Sequence, residues 1–498
     1  MRISLSLACL GLMTGTAFAA PQWATTINLS EGDDCAVIED DATPGDNIYQ
    51  VRSTNGSFPT TTFELPSGNL TINMLGGNDK VTFEGLDFPE LTAGVFIYGG
   101  PGNDRATVRG LRSSGSVISD DNEGNNRLNV VRSAIAGDVA AYDGSGRQVV
   151  RVLGTTVDGS VLAASPDGAS KVEIGRINQT SVVGGSVLID NYGYGNDDVS
   201  LFGIVGGDFY ASTGIGETKF QSLFSGVAGS LSVLVEGGTL AVSTGDVSIG
   251  DSLFAFCGEG ETLKQIYNTA VGGVINFTSG FGYDDADLIN VQTSELQINN
   301  GDGGSFLELR DGLTGPPFRL DIGRITSFSG QGADEVVFGS VGFPPATPAF
   351  IGSLDINCGD GNGRLEAGDN LTIGNVVYSS GGGFDEVRFE GTTIQDNLIC
   401  YNFGGGSAVE IRDAYVGGLV DVNSLDGSDF FRVYDSEFIG PVYMFTNNGT
   451  DTFTLSNSTF ASDFVADGGL DFDIFETTND SVFGGIEYTP GWEFFFDF

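Results

Sequence analysis

The chain has 498 residues, 66 acidic against 21 basic, for a net charge of −45 with no histidine. Such a charge repels nucleic acid and anionic membranes and attracts cations, and the missing imidazoles exclude histidine-based acid–base catalysis and the usual histidine zinc site. With 40% hydrophobic residues and 37 Phe, the sequence still holds enough apolar matter for a packed core, unlike a disordered acidic chain.

Residues 1–19, MRISLSLACLGLMTGTAFA, combine one Arg, a short apolar run and the triplet Ala17-Phe18-Ala19. That is the pattern of a secretory signal peptide cut after Ala19. No later stretch reaches the ~18 apolar residues of a membrane helix. The expectation is an exported protein with no transmembrane segment, in the periplasm, at the cell surface or outside the cell. Residues 20–60, containing DDCAVIEDDATPGDNIYQV, read as an N-terminal cap.

From residue 61 to 488 a repeat takes over. Asp104, Asn126, Gln148 and Ser170 stand 22 residues apart, as do Asp385, Ser407, Asp429, Asp451 and Asp473. Two positions after each of these nine is an apolar residue, from Ala106, Leu128 and Val150 to Phe453 and Phe475. Thirteen positions after each is another, among them Val117, Val139, Val161, Val183, Val442, Phe464 and Ile486. Apolar positions come in pairs two apart, which is strand periodicity. Three short strands in one repeat cannot bury a face alone; stacked at about 4.8 Å per coil they share a continuous core. The prediction is one all-β domain, a single-stranded right-handed parallel β-helix of about 16–18 coils, ~22 residues per coil, roughly 80 Å long. Residues 489–498, with Trp492, Phe494, Phe496 and Phe498 alternating, read as a C-terminal capping strand.

With its GGNDKV and GNDDV turns, the chain resembles the secreted, acidic bacterial right-handed parallel β-helix proteins over about residues 60–488. The resemblance implies the fold and no single activity, because such helices carry lyases, hydrolases, adhesins and inert stalks alike.

Candidate sites follow along the repeat. GDDCAVI (32–38) matches the paired-aspartate motif of polygalacturonases, but that family's Asn-Thr-Asp, Gly-His-Gly and Arg-Ile-Lys segments are absent. Lys80, Arg105, Arg127 and Lys171 each follow a turn, a basic line suited either to an anionic polymer or to neighbouring Asp and Glu. YGGPGNDRATVRG (98–110) spaces its glycines and Asp104 like a calcium nonapeptide. Genuine nonapeptides recur every nine residues; here the turn recurs every ~22, so glycine for positive φ and Asp or Asn bonding turn amides is the simpler reading. Asp429, Asp451 and Asp473 would stack at about 5 Å and repel, and Ca²⁺ on Asp429 and Asp451 would relieve this.

Two turns join rings to carboxylates. NYGYGNDD holds Tyr192, Tyr194, Asp197 and Asp198; SGFGYDDAD holds Phe281, Tyr283, Asp284, Asp285 and Asp287. Rings stack on sugar faces and carboxylates bond hydroxyls, so these are candidate glycan contacts, about four coils apart. TGPPF (314–318) and FPPATPAF (343–350) interrupt successive coils at one corner, beside Arg319, Asp321 and Arg324. DINCGDGNGRLEAGD resembles a dockerin or EF-hand loop, with Asp355, Asn357, Asp360, Asn362, Glu366 and Asp369 as oxygen ligands for Ca²⁺. Cys257, Cys358 and Cys400 fall at inward positions and should be buried free thiols. Arg388, Glu410 and Arg432 should form an outward ladder of alternating charge.

No convergent catalytic set emerges. The expected function is a non-catalytic extracellular protein, with a surface, adhesive or matrix role, binding polysaccharide or another cell-surface component and Ca²⁺. The alternative is a calcium-dependent polysaccharide lyase or hydrolase using Arg319 or Arg324 with Asp321. No organic cofactor and no nucleic-acid partner are expected.

Overall fold

The computed structural model describes residues 24–43, 46–85, 90–310, 320–339, 349–478, 480–485, 487–491 and 494–497. The signal sequence, Arg319, TGPPF, residues 343–348 of FPPATPAF, Ile486 and Trp492 lie outside them. The chain is all-β, 64% strand with no helix among the described residues, wound as a parallel β-solenoid of about 18 turns with roughly 22 residues each.

Each full turn lays one strand on each of three parallel sheets. Sheet A runs from Thr25–Asn28 through Val117–Glu123, Val139–Ser145 and Val161–Ser165 to Phe464–Asp467 and Glu487–Tyr488. Sheet B runs from Cys35–Asp40 through Arg105–Arg109, Asn126–Val131 and Gln148–Leu153 to Ile474–Thr477 and Phe494–Asp497. Sheet C is narrow, built from two-residue strands such as Ala134–Ile135 and Thr156–Val157. The register follows the repeat: Val117 pairs with Val139 and Val139 with Val161, while Leu128 pairs with Val150 and Val150 with Val172. In mid-rod the corners keep their pairing too, so Phe209–Val227 and Leu231–Ile249 run unbroken through all three sheets.

The predicted inward columns are the core. Val150, Val161 and Phe453 are all fully buried, and each such side chain contributes about 1.5–3 kcal/mol by leaving water. Towards the C-terminus the aliphatic columns turn aromatic. Phe438 stacks on Phe460 at 4.9 Å and Phe460 on Phe483 at 5.1 Å, so a ring in one coil is matched by a ring in the next. Val183 departs from its predicted column. The coil from Ser170 to Asp197 carries a turn around residue 177, so Val183 pairs with Val157 in sheet C and Val187 takes the place beside Val161.

The first coil begins ahead of residue 61. Thr25–Asn28 already pairs in parallel with Leu70–Asn73, and Cys35–Asp40 with Lys80–Glu84. Residues 48–64 form an antiparallel extension at the edge of Cys35–Asp40, through Ile48–Ser53 and Thr61–Glu64. Tyr49 and Val51 bury against the core from there.

The Gly-Asn-Asp turn is the corner between sheets A and B, and each residue has one job. Gly102 (φ 145°) and Gly124 (φ 109°) lie in the left-handed half of backbone space. A Cβ on Gly124 would sit 1.7 Å from the Gly102 carbonyl oxygen, so the stack admits only glycine. The next residue points outward: the Asn103 N–H donates to Asn78 Oδ1 (3.0 Å) and the Asn125 N–H to Asn103 Oδ1 (2.9 Å). The third points inward, and its amide bonds in the opposite direction along the rod. Asp79 N–H donates to Asp104 Oδ1 and Asp104 N–H to Asn126 Oδ1, both at 2.9 Å.

Candidate functional site

The inward corner column shows where the turn acids stand. Ser407, Asp429 and Asp451 donate their N–H groups to Oδ1 of Asp429 (2.7 Å), Asp451 (2.9 Å) and Asp473 (3.0 Å). Asp429 is 1% exposed and Asp451 fully buried. The acids expected along the rod's edge thus belong to its interior, where they satisfy the amides of the coil before. Burial, ahead of any repulsion by neighbours, raises the carboxyls of Asp104, Asp385, Asp429 and Asp451. It lifts Asp79 and Asp334 to about 6.

A second buried polar column faces this one across the corner. Asn126 donates to Asp143 (3.1 Å) and Asn191 to Asp197 (2.6 Å). Asp121, beside Ser119, is raised to about 7 and Asp143 to about 6, again chiefly by burial. One oxygen of Asp104, Asp121 and Asp143 is buried without a hydrogen-bond partner among the described residues. A protonated carboxyl suits such a place better than an ionised one.

Lys264 interrupts the apolar column at its middle. It is 1% exposed, its Nζ 2.6 Å from Thr262 Oγ1, 3.7 Å from Asp284 Oδ1 and over the Phe277 ring. Asp284 also accepts from Thr262 and Ser279. Asp284, a predicted glycan contact, is therefore the buried counter-ion of a lysine. The sequence does signal this: Lys264 stands two residues after Thr262, an inward position of the repeat. Cys257, Cys358 and Cys400 are buried free thiols, with burial pushing Cys358 and Cys400 up to about 12.

The other predicted glycan residues lie on the surface. Tyr194 is 80% exposed, Phe281 62%, and Tyr192 and Tyr283 are exposed too. Tyr194, Ile215 and Gly237 are register partners on successive rungs, and Glu259 pairs with Phe281 on the next two. The two turns thus share one edge, four rungs apart, about 19 Å. Asp198 is ion-paired with Lys171. The hydrogen bond that the Tyr192 O–H donates to Asp190, then burial, raises the Tyr192 phenol. Burial first, then Asp287, raises Asp285.

The dockerin-like stretch does not form one loop. Asp355 and Asn357 end the strand Ala349–Asn357, Asp360 and Asn362 occupy the next corner, Glu366 lies within Gly363–Ala367, and Asp369 reaches the corner after that. Asp355 meets Arg324 at 3.5 Å and Glu366 meets Arg364 at 2.6 Å. Asn357 and Asn362 accept from the Gly359 (3.0 Å) and Phe384 (2.9 Å) amides. Of the proposed lyase residues, Asp321 starts the strand Asp321–Phe328, Arg324 is half exposed against Asp355, and Arg319 is not described.

One grouping escaped the sequence reading. Asp40, Asp41 and Asp46, at the turn after Cys35–Asp40, are the only three acidic, Cys or His side chains among the described residues with ligand atoms all within 4.8 Å. Asp41 and Asp46 also accept from the Thr43 and Ile48 amides, both at 2.9 Å. No protein-family model matches the chain, and neither a curated protein nor a solved structure matches it.

Proposed function

We propose that the protein is a non-catalytic, exported binding rod that holds an extended polysaccharide along its surface. The observation that carries this reading is the edge where Tyr192, Tyr194, Ile215, Phe281 and Tyr283 stand exposed across five rungs. Rings held about 19 Å apart on a rigid stack meet two separated sugars of one extended chain, and neighbouring carboxylates at Asp190, Glu236 and Asp285 accept from hydroxyls. The rod supplies repetition. An adhesive or matrix role follows from such one-dimensional display.

A glycan array followed by titration tests the reading. The double variant Tyr194→Ala/Phe281→Ala should lose neutral-glycan binding about tenfold or more. It should keep its thermal midpoint, because both rings are exposed. Equal binding by the variant, or release of shortened or unsaturated products from the glycan, would overturn the reading.

A further inference from the structure

The charge of this chain is not evenly spread. Of its 21 Lys and Arg residues, ten fall between Lys80 and Arg176. Five consecutive coils therefore concentrate positive charge on a rod of net charge −45. On the outer face of sheet B, Lys80, Arg105 and Arg127 are register partners on three successive rungs. Arg147 stands at the corner beside them and Arg151 two positions along the adjoining strand from Val149, the next partner of Arg127. Like charges stacked at rung spacing repel. Burial, then Arg151, Arg105 and Arg147, hold the Arg127 guanidinium below its ordinary value.

Acids neutralise only part of this cluster, Lys171 being paired with Asp198. Arg109 pairs with Glu84 (3.3 Å) and Arg151 with Glu173 (2.9 Å). Among the described residues no carboxylate lies within ion-pair distance of Arg105, Arg127, Arg132 or Arg147. The two depressions they line, about 460 and 500 Å³, share Arg105. Asn103 and Asn125 rim the first, and Asn129 and Gln179 line the second. Unpaired guanidiniums are planar donor forks that fit carboxylate and sulfate oxygens two at a time.

We infer that this arginine face is a second binding surface, for an acidic polysaccharide bearing carboxylate or sulfate groups. Spacing and chemistry favour this class. Positive charge recurs on successive rungs, matching a polymer whose acidic sugars recur along an extended chain. Side-chain amides stand among the guanidiniums for the hydroxyls, and no aromatic ring lines either depression for bases to stack on, as single-stranded nucleic acid needs. The inference rests on the reading of the rod as a polysaccharide binder, but it uses different residues from the ring edge.

The test is calorimetric titration of the full chain with polygalacturonate and with dextran sulfate, using neutral dextran and oligodeoxythymidine as comparisons. The variant Arg127→Gln/Arg147→Gln should weaken binding of the acidic glycans about tenfold or more. Its thermal midpoint should hold or rise, since like charges are removed. The ring-edge variant Tyr194→Ala/Phe281→Ala should bind acidic glycans within about twofold of the unmodified chain. Unchanged binding by the arginine variant, no acidic-glycan binding by the unmodified chain, or tighter binding of oligodeoxythymidine would overturn the inference. Loss in the ring variant alone would leave the ring-edge reading standing and remove this one.

Discussion

The same face of sheet B is furnished in two ways along the rod. In the N-terminal coils, Lys80, Arg105 and Arg127 sit on one column with no carboxylate between them. In the C-terminal coils, Arg388, Glu410 and Arg432 alternate on a column of the same sheet. There Arg364 reaches Glu335, Glu366 and Glu386, Arg388 pairs with Glu390, and Glu410 serves Arg412 (3.2 Å) and Arg432 (4.0 Å). Every described Lys and Arg after residue 176 lies within 4.0 Å of a carboxylate. Backbone geometry is common to both regions, so the contrast belongs to the side chains. The frame is indifferent to its outward positions, which leaves one region free to balance its charge and the other to present it.

The largest effects should erase this contrast, because both regions depend on the glycine corner. Gly427 (φ 127°) repeats the geometry of Gly124, its would-be Cβ 1.7 Å from the Gly405 oxygen. Gly124→Ala and Gly427→Ala should each cost more than about 3 kcal/mol in denaturant unfolding. A loss in one region only would mean the corners are not equivalent.

Acidity comes next and weighs on the N-terminal region. Asp79, Asp121 and Asp143 there, and Asp334 beyond, are raised from 3.8 to about 6 or 7. Between those values the folded chain holds more protons than the unfolded one, so stability falls as pH rises through the window. Unfolding free energy should therefore be a few kcal/mol greater at pH 5 than at pH 8. In Asp121→Asn the slope should flatten; a slope unchanged by that substitution would place the titration elsewhere.

The third expectation sets the two regions against each other. Arg364→Gln leaves three carboxylates facing one another and should lower stability by about 1 kcal/mol, a modest figure because the pairs are partly exposed. Arg127→Gln relieves repulsion and should raise stability by a few tenths. Shifts of the same sign would show that charge pairing does not separate the regions. The smallest effect is calcium. Asp355 and Glu366 are engaged by Arg324 and Arg364, and Asn357 and Asn362 by backbone amides, so adding Ca²⁺ in place of chelator should move the thermal midpoint by no more than about 1 °C. A rise of several degrees would support the expectation of Ca²⁺ binding and direct attention to Asp40, Asp41 and Asp46 as well.

The frame was largely readable beforehand. A recurring 22-residue period with Val150, Val161 and Phe453 at inward offsets leaves few architectures, since only stacking buries short strands. Polar residues were harder. Asp429 and Asp451 look like turn acids in sequence, and only the A–B corner shows that their side chains turn inward to serve amides of the neighbouring coil. Lys264 stands at an inward offset of the repeat, but that Asp284 is its counter-ion follows only from the register, which stacks Thr262 on Asp284. The arginine face was glimpsed as the line from Lys80 to Lys171. Arg147 and Arg151 join it only once winding brings their coils together, and pairing or its absence is a matter of distance, which spacing in sequence does not record.

Arginine labelling tests the division of the surface most directly. The full chain is treated with a dicarbonyl reagent with and without polygalacturonate, and modified sites are read by mass spectrometry. Arg105, Arg127 and Arg147 should react readily when free and be shielded by the polymer, while Arg364, Arg388 and Arg412 should react alike in both conditions. Equal shielding of the two sets, or none at the first, would contradict the account.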